Sequence, residues 1–405
     1  MAILQARGVM DMNIQAKLME KFLKNFDGTS FDVMFETGEE IHIGRDVAKF
    51  KVIVNEPISY KKLLQGTTLA LGEAYMNGDI EIEGDIEEVL NEIFKCKDSF
   101  KTDYHALKKL FNNSLSMKNQ KEEVCSHYNI GNDFYKLWLD PTLSYSCAYF
   151  ENGNETLEEA QYKKVHHILN KLNLKDGMSL LDIGCGWGFL LIEAAKKYKI
   201  HGVGITLSEE QQRIFSERIK EEGLEEYLKV ELMDYRELRH AGYQFDRIVS
   251  VGMIEHVGRD NYDLFFKCVD NVLKEGGVFL LHYISGLKEY PGDPWIRKYI
   301  FPGGMIPSLR EIISLAADYG YYVLDVESLR RHYVRTLLCW HDGFEKHLPE
   351  IEKMFNERFI RMWRMYLCSC AASFNNGVID LHQVLFTKGI NNDLPMTRRY
   401  QYNLE

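Results

Sequence analysis

The 405-residue chain contains no run of about 18 apolar residues, so the sequence predicts no helix that spans a bilayer. Its first residues also lack the apolar core of a secretory signal. Basic residues are in the minority, because 49 Lys and Arg stand against 60 Asp and Glu and give a net charge of −11. A nucleic-acid binder needs a basic surface, so that class of function is not expected. These absences favour a cytoplasmic protein with reduced thiols.

The chain also lacks paired cysteines. Its eight cysteines are scattered and none forms a Cys-x-x-Cys pair, which argues against a zinc site or a thioredoxin-like redox centre. No metal is therefore expected. Proline is scarce, yet four of the eight prolines lie within residues 285–307. A Pro/Gly-rich loop of this length is often a functional lid, and we expect this one to exclude water from a ligand site.

The length of the chain predicts two domains, a smaller α+β domain with its linker over residues 1–125 and a larger α/β domain over residues 126–405. Short runs around a Gly turn indicate strands in the smaller domain, and longer periodic stretches indicate helices. The expected elements are strands within residues 31–44 and 51–55, helices within residues 59–75 and 86–94, and a polar connector over residues 98–123.

From Thr156 onward, strand-like and helical stretches alternate. Thr156 and Glu159 form a capping box, which predicts a helix to about Leu172. The alternation predicts a Rossmann-like α/β domain, in which helices cover both faces of an open, mostly parallel sheet. Ligands bind such sheets beyond the carboxyl ends of the strands. Seven strands are expected, at residues 179–183, 201–206, 228–232, 246–251, 278–283, 321–327 and 381–387.

A glycine-rich turn follows the first of these seven strands. Gly184, Gly186 and Gly188 come directly after the buried segment that contains Asp182. Such a turn lets backbone N–H groups approach a ligand at a helix N-terminus. A nicotinamide site would show another glycine spacing and an acidic residue at the end of the second strand, where Thr206 stands instead. The combination predicts S-adenosylmethionine as the ligand and methyl transfer as the chemistry.

Three further residues lie at this sheet edge, and two of them, Gln211 and Asp234, have two interpretations each. Gln211 follows Ser208 in a second capping box, so it caps a helix, binds the ribose, or does both. Asp234 and Tyr235 end the third strand, where the carboxylate could accept from an adenine amino group and the ring could cover the adenine face. The alternative for Asp234 is a solvated turn residue.

A second set of residues could carry the chemistry. Glu255 follows the fourth strand and has two interpretations. Its negative charge acts on a nearby sulfonium, or it complements the dipole at the start of a helix. His282 ends the fifth strand, and a lone strand histidine is more often a satisfied core residue. Taken singly, Cys147 is a buried small hydrophobe and Tyr333 an ordinary aromatic residue.

Considered together, the motifs resemble those of the cyclopropane-fatty-acyl-phospholipid synthases, over residues 127–304 and again near the last strand. The smaller domain resembles that family only loosely, through residues 71–78. The motifs are His127-Tyr-Asn-Ile-Gly-Asn-Asp-Phe-Tyr135, Tyr145-Ser-Cys-Ala-Tyr-Phe150, Leu181-Asp-Ile-Gly-Cys-Gly-Trp-Gly188, Gly204-Ile-Thr-Leu-Ser-Glu-Glu-Gln211, Ser250-Val-Gly-Met-Ile-Glu-His-Val-Gly258, Tyr299-Ile-Phe-Pro-Gly-Gly304 and His382-Gln-Val-Leu-Phe-Thr-Lys-Gly389.

The resemblance implies a class I methyltransferase fold, S-adenosylmethionine as cofactor and a bound bicarbonate that acts as base. The positions that match the family's bicarbonate site are Cys147, Glu255, His282, Ile284 and Tyr333. The positions that match its cofactor contacts are Tyr145, Ser146, Gly184, Gly186, Thr206, Gln211, Asp234 and Tyr235, to which the glycine-rich turn adds Asp182 and Gly188.

The implied reaction adds a methylene group to a cis alkene through a carbocation. A carbocation needs nearby aromatic faces, for which Tyr283, Tyr333 and Trp295 are the candidates. It also needs water excluded, for which residues 285–307 are the candidate. The stretch 355–366 interleaves aromatic and basic residues and could either dock on a membrane or pack in a core.

The resemblance also implies partners and alternatives. The expected partner is the acyl chain of a membrane phospholipid, which requires peripheral association with the inner face of the membrane and makes the domain of residues 1–125 a candidate for membrane contact. A homodimer is an open possibility. One alternative function is a methyltransferase that makes branched or methylene fatty acyl chains. A second is a non-catalytic lipid-binding protein.

Overall fold

The protein is described by a computed structural model, which covers Leu23 and residues 28–58, 62–63, 66–96 and 131–402. The strands are β1 (Phe31–Phe35), β2 (Glu40–Ile43), β3 (Lys51–Val54), β4 (Ile80–Glu83), β5 (Ser179–Ile183), β6 (His201–Thr206), β7 (Leu228–Leu232), β8 (Phe245–Val251), β9 (Leu273–Gly286), β10 (Tyr321–Ser328) and β11 (Ile379–Lys388). The helices are α1 (Thr67–Asn77), α2 (Ile86–Lys95), α3 (Asn132–Trp138), α4 (Leu157–Lys171), α5 (Phe189–Tyr198), α6 (Glu209–Glu221), α7 (Tyr262–Val272), α8 (Pro294–Tyr299), α9 (Leu309–Asp318), α10 (Arg330–Lys346), α11 (Leu348–Ile351) and α12 (Glu357–Asn375).

The chain divides into two compact units, and the division differs from the domains expected from the sequence. Residues 291–300 and 340–378 group with the N-terminal residues, although the sequence suggested that they belong to the larger domain. The smaller unit comprises residues 1–114, 291–300 and 340–378, and the larger unit comprises residues 115–290, 301–339 and 379–405. The polar connector expected over residues 98–123 and the first four residues of the motif at 127–135 lie outside the described residues.

The smaller unit contains a four-stranded sheet in the order β2-β1-β3-β4. Strands β1 and β3 are parallel, and the other neighbours are antiparallel. Alternate residues of β1 are buried, namely Phe31, Val33 and Phe35, as a strand with one buried face requires. The Asp85 side chain caps α2 by accepting hydrogen bonds from the backbone N–H groups of Glu87 and Glu88. The expected strands and helices of the smaller domain are therefore present within its described residues.

Helix α12 settles the choice left open for residues 355–366. It packs against α1 and α2 within the smaller unit, where its residues Cys368 and Ala372 form a buried cluster with Leu90. Arg361 donates to the Ile80 backbone oxygen over 2.9 Å and to the Tyr75 backbone oxygen. The apolar face of this helix is therefore a core-packing surface.

The larger unit contains the expected seven-stranded sheet, in the order β10-β11-β9-β8-β5-β6-β7. Its central strands are parallel, and β11 is antiparallel to both of its neighbours. Strands β5, β6 and β7 have the bounds expected from the sequence, and β9 is longer because Leu273 already pairs with Phe245. The Thr156–Glu159 capping box is present at the start of α4. The prediction of a Rossmann-like seven-stranded sheet is confirmed.

Helices bury both faces of this sheet. Leu180 belongs to a cluster that includes residues of α4, α5 and α6, whereas Leu181 belongs to a cluster that includes residues of α7 and α9. Successive residues of a strand point to opposite faces, so each strand contributes to both clusters. The order reverses at β5, whose two neighbours are β6 and β8, and this is the point at which open α/β sheets bind ligands. Among the described helices, none has the length and apolar character needed to cross a bilayer.

Candidate active site

A cavity of about 180 Å³ lies in the larger unit, beyond the carboxyl ends of β5, β6 and β8. Its lining includes every residue that the sequence suggested for cofactor binding. These residues are Tyr145, Ser146, Asp182, Gly184, Gly186, Gly188, Thr206, Gln211, Asp234 and Tyr235. They come from four separate stretches of the chain, and the fold brings them together around one space.

The glycine-rich turn is held against β6 and leaves room for a ligand. The backbone N–H groups of Gly184 and Cys185 both donate to the Ile205 oxygen, over 3.0 and 3.1 Å. Gly188 has a φ of +84°, and a Cβ there would overlap the Phe215 ring. Gly186 also has a positive φ, but a Cβ there would meet no atom within 4 Å. The space over Gly186 is therefore open, which fits the close approach of a cofactor to this backbone.

Gln211 both caps its helix and presents a donor to the cavity. Its backbone N–H donates to the Ser208 side chain over 3.3 Å, which is half of the expected capping box. Its side-chain oxygen does not complete the box, because it accepts from Thr206 Oγ1 over 2.7 Å. The amide Nε2 remains to donate to a ligand such as a ribose hydroxyl. The two interpretations left open by the sequence are thus compatible.

Asp234 is neither solvated nor free of other partners. It is buried and accepts from Arg236 Nε over 2.8 Å and from Arg236 Nη2 over 2.5 Å. The alternative of a solvated turn residue is therefore wrong, and the predicted adenine contact would share the carboxylate with Arg236. Tyr235 packs edge-on against Phe265 with the ring centroids 5.4 Å apart.

Lys164 is a cavity residue that the sequence analysis missed. Its side chain is buried, lines the cavity and donates to Ser146 Oγ over 3.1 Å. Burial lowers the pKa of this lysine to about 8. Asp182 lies in the same lining, and burial raises the pKa of its carboxyl to about 7. The sequence did contain a signal for its burial. Lys164 lies one helical turn after the apolar Ala160 and one turn before the apolar Ile168, so it shares their helix face.

Glu255 and His282 each present a buried polar atom that has no partner among the described residues. Glu255 Oε1 accepts from the Ile284 N–H over 2.7 Å, whereas Oε2 is inaccessible and unpaired. Burial raises the pKa of this carboxyl to about 7. His282 Nδ1 lies 3.1 Å from the Gln383 amide nitrogen, which donates to it, so Nε2 carries the proton of the neutral ring and is unpaired. Burial, reinforced by Lys164, lowers the pKa of His282 to about 3.

Cys147 and Tyr333 are linked to the same region through Leu329. The buried Cys147 Sγ lies 3.8 Å from the Leu329 oxygen, and the Tyr333 N–H donates to that oxygen over 3.1 Å. The Leu329 N–H donates in turn to the backbone oxygen of Leu381. Leu381 lies in β11 and pairs with Ile284 of β9. Burial raises the pKa of the Cys147 thiol far above its usual value, so the thiol stays protonated. Hydrogen bonds and strand pairing therefore connect Cys147, Tyr333, Ile284 and Glu255, and His282 lies two residues before Ile284 in β9.

The three aromatic candidates for carbocation stabilisation lie in different surroundings. Tyr283 belongs to the cluster that includes Phe279 and Leu281, and alternation along β9 therefore places it on the opposite face from His282, but it interacts electrostatically with Glu255. Trp295 lies in the smaller unit, where its Nε1 donates to Met76 Sδ over 3.2 Å. The role of all three in stabilising a cation stays a prediction.

The proline-rich loop is divided between the two units. Residues 291–300 belong to the smaller unit and contain α8. The following residues stay in the larger unit, where the Met305 N–H donates to the Glu255 backbone oxygen over 2.8 Å. Phe301 packs edge-on against His256, which lines the cavity, with ring centroids 5.9 Å apart. The segment after α8 therefore contacts a residue that lines the cavity, and its role in excluding water stays a prediction.

Two family models match the chain. The model described as mycolic acid cyclopropane synthetase matches residues 115–384, and a model for a domain of unknown function matches residues 18–105. The first match covers the cavity and all five predicted catalytic positions. The described residues hold no cluster of three or more His, Cys, Asp or Glu side chains suited to a metal ion.

Similar proteins of known name cover most of the chain. A cyclopropane-fatty-acyl-phospholipid synthase from Escherichia coli K12 is 41% identical over 354 residues, which are 85% of this chain and 90% of that protein. A probable fatty acid methyltransferase from Pseudomonas putida is 37% identical over 390 residues, which are 94% of this chain and 95% of that protein.

Solved structures are similar over about two thirds of the chain. The cyclopropane synthase MmaA2 from Mycobacterium tuberculosis aligns with a TM-score of 0.63 at 36% identity, over 66% of this chain and 98% of that one. The mycolic acid cyclopropane synthase CmaA1, solved with SAH and CTAB, aligns with a TM-score of 0.62 at 36% identity, over 66% of this chain and 98% of that one.

Proposed function

Because the chain belongs to the mycolic acid cyclopropane synthetase family, we propose that it transfers a methylene group from S-adenosylmethionine to the cis double bond of unsaturated phospholipid acyl chains and forms a cyclopropane ring. The observation that carries the proposal is a pair of buried atoms without a partner among the described residues. Glu255 Oε2 belongs to the residue before the cavity residue His256, and His282 Nε2 belongs to a residue whose backbone oxygen accepts from the cavity residue Gly252. The E. coli relative supports a phospholipid as the acceptor.

The cofactor site fits S-adenosylmethionine. When bound, this cofactor supplies an activated methyl group on a sulfonium. The open space over Gly186 accepts the backbone approach, the Gln211 amide can donate to the ribose, and Tyr235 can cover the adenine. The sheet edge thus holds the methyl donor in a fixed orientation, which lowers the entropic part of the barrier.

The alkene is the nucleophile in this reaction. Its π electrons form a bond to the methyl carbon, the carbon–sulfur bond breaks, and its electron pair stays with S-adenosylhomocysteine. The acyl chain is left as a carbocation. The new methyl group then loses a proton, and the released C–H electron pair closes the three-membered ring. The site must therefore stabilise a cation, accept a proton and exclude water.

The residues around Glu255 and His282 suit a small anion that acts as base. Bicarbonate would supply a proton acceptor there. The neutral His282 donates through Nε2, and the Ile284 N–H fixes Glu255 so that its carboxyl can exchange a hydrogen bond with a protonated anion. Cys147 and Tyr333 would complete the enclosure. A positioned base of this kind contributes roughly 10²–10⁴-fold to a rate.

The proposal has two further parts. The protein associates peripherally with the inner face of the membrane, with residues 1–125 as the lipid-associated domain, and it forms a homodimer. Removing about ten methylenes from a bilayer costs on the order of 8 kcal/mol, so the enzyme must receive the chain directly from the lipid surface. The net charge of −11 opposes anionic lipid, and local Lys and Arg contacts must offset it. Flotation with anionic and neutral vesicles at two salt concentrations tests the association, and light scattering tests the dimer.

A second candidate product is favoured by the Pseudomonas relative, whose name specifies only a fatty acid methyltransferase. A site of this kind could instead let the cation lose a proton to the base without ring closure, which leaves a methylene or methyl-branched chain that retains a double bond. Titration with S-adenosylhomocysteine, followed by mass and NMR analysis of lipids after turnover, separates the candidates. A gain of one CH₂ with loss of the alkene supports cyclopropanation, the same gain with a retained alkene supports the second candidate, and cofactor binding without any gain supports a lipid-binding protein.

A further inference from the structure

Lys164 is a buried cation whose role the proposed chemistry leaves unexplained. It lies on α4 with a relative exposure of 4%, and its amine lines the cofactor cavity. Its hydrogen-bond partner is Ser146 Oγ, and no carboxylate of the described residues forms an ion pair with it. An ammonium carries three donors, and a buried charge without a counter-charge is costly. Asp140 and Asp182 attract this ammonium electrostatically without a direct ion pair, so hydrogen-bond donors of Lys164 remain available to a ligand.

Asp182 is an acidic residue in the lining of the same cavity, but it forms no ion pair with Lys164. It is buried at 3% exposure, and its Oδ1 accepts no hydrogen bond from the described residues. Asp182 and Lys164 influence each other electrostatically, but they form no ion pair. The cavity thus contains a separated positive and negative group, both shielded from bulk water.

We propose that Lys164, together with Ser146 Oγ, binds the α-carboxylate of S-adenosylmethionine. The amino-acid end of this molecule carries one carboxylate and one ammonium, which matches the separated Lys164 and Asp182. Lys164 has donors to spare for a carboxylate, and charge-assisted hydrogen bonds of this kind are among the stronger polar contacts. The inference rests on the proposed use of S-adenosylmethionine and adds a specificity residue to that site.

Two ligands that differ only at the amino-acid end test the assignment. S-adenosylhomocysteine carries the carboxylate and the ammonium, whereas 5′-methylthioadenosine carries neither and retains the adenosine and sulfur. Calorimetric titration with both ligands should be done on the wild type, on Lys164→Met and on the control Lys163→Met. Lys163 is the next residue of α4, but it pairs with Glu151 and Glu155 instead of lining the cavity.

The assignment predicts a selective loss. Lys164→Met should weaken S-adenosylhomocysteine at least tenfold and change 5′-methylthioadenosine less than twofold, while Lys163→Met should match the wild type for both. Equal weakening of both ligands would assign Lys164 a purely structural role and overturn the inference, as would unchanged binding of S-adenosylhomocysteine. A wild type that binds neither ligand would overturn the proposed cofactor as well. If Lys164→Met does not fold, Lys164→Gln gives the same comparison, because it keeps a donor to Ser146 and removes the charge.

Discussion

The backbone N–H of Ile284 donates to Glu255 Oε1 over 2.7 Å, and this contact joins the turn after β8 to the end of β9. It fixes one carboxylate oxygen and leaves the other, Oε2, inaccessible to solvent and unpaired. Burial raises the pKa of this carboxyl to about 7, although the Ile284 hydrogen bond favours the ionised form. The contact thus sets the orientation of the Glu255 carboxyl, and burial sets its protonation.

Replacement of Glu255 by glutamine should separate catalysis from binding. The glutamine oxygen can still accept from Ile284, so Glu255→Gln should leave affinity for S-adenosylhomocysteine nearly unchanged. Turnover should fall roughly tenfold or more, because a positioned catalytic group is lost. Calorimetry and a lipid turnover assay measure the two quantities. A matching loss of cofactor affinity would assign Glu255 to the cofactor site instead, and Asp260→Asn, at an exposed position nearby, is the control.

The same substitution should change how stability depends on pH. Because burial raises the pKa of Glu255 from 4.5 to about 7, the folded state binds its proton more tightly than the unfolded state does. The resulting stabilisation is fully present below pH 4.5 and is lost as the pH rises through 7. Glutamine does not titrate, so Glu255→Gln should gain on the order of 2 kcal/mol relative to the wild type between pH 5 and pH 8.

Urea unfolding at pH 5 and pH 8, without cofactor, measures this difference. The Asp260→Asn control should keep the pH dependence of the wild type. Parallel stability curves for the wild type and Glu255→Gln would show that Glu255 is ionised in the folded protein across this range and that the proposed protonation is wrong.

The glycine-rich turn allows two effects of an added methyl group to be measured apart. One is backbone strain, and the other is steric exclusion of the cofactor. Gly186 and Gly223 have φ values of +55° and +63°, and a Cβ at either would meet no atom within 4 Å. Alanine should therefore cost each site about 1–2 kcal/mol of strain. Gly186→Ala should also lose at least tenfold in cofactor affinity, because its methyl group enters the cavity, whereas Gly223→Ala should bind normally. Equal affinities in the two variants would place the cofactor away from Gly186.

Tyr283 provides a test of the part that a buried hydroxyl plays. Its hydroxyl is buried and unpaired among the described residues, and its ring lies on the face of β9 opposite His282. Tyr283→Phe keeps the aromatic face that could stabilise a cation, so turnover should stay within about twofold of the wild type. It should raise the free energy of unfolding by about 1 kcal/mol, since an unsatisfied buried hydroxyl is removed. A tenfold loss of turnover with unchanged stability would show that the hydroxyl itself takes part in the chemistry.

Much of the larger unit could be predicted from local patterns. Strands β5, β6 and β7 are short apolar runs bounded by turn residues, and the Thr156–Glu159 capping box fixes the start of α4. The cavity residues could be predicted because open parallel sheets bring their strand ends to one edge. These features depend on neighbours in sequence or on a general rule of topology.

The features that could not be predicted depend on contacts between distant residues. Nothing local shows that residues 291–300 and 340–378 group with the N-terminal residues, because that grouping follows from contacts such as Trp295 with Met76. The Asp234–Arg236 ion pair depends on a turn conformation that composition does not reveal. Lys164 is a single basic residue in a helix, and its burial follows only from the position of the Ser146 loop.

Isotope transfer from labelled cofactor to lipid is the most direct test of methylene transfer. The wild type should be incubated with S-adenosylmethionine that carries a CD₃ group and with vesicles of cis-unsaturated phospholipid, and the acyl chains should be analysed by mass spectrometry and proton NMR. Cyclopropanation predicts an added CD₂ unit, one deuterium lost, upfield proton signals from the ring methines and no olefinic carbon signal in the product. An added unit that retains all three deuterium atoms, or a labelled product that still shows olefinic carbons by carbon NMR, would contradict it.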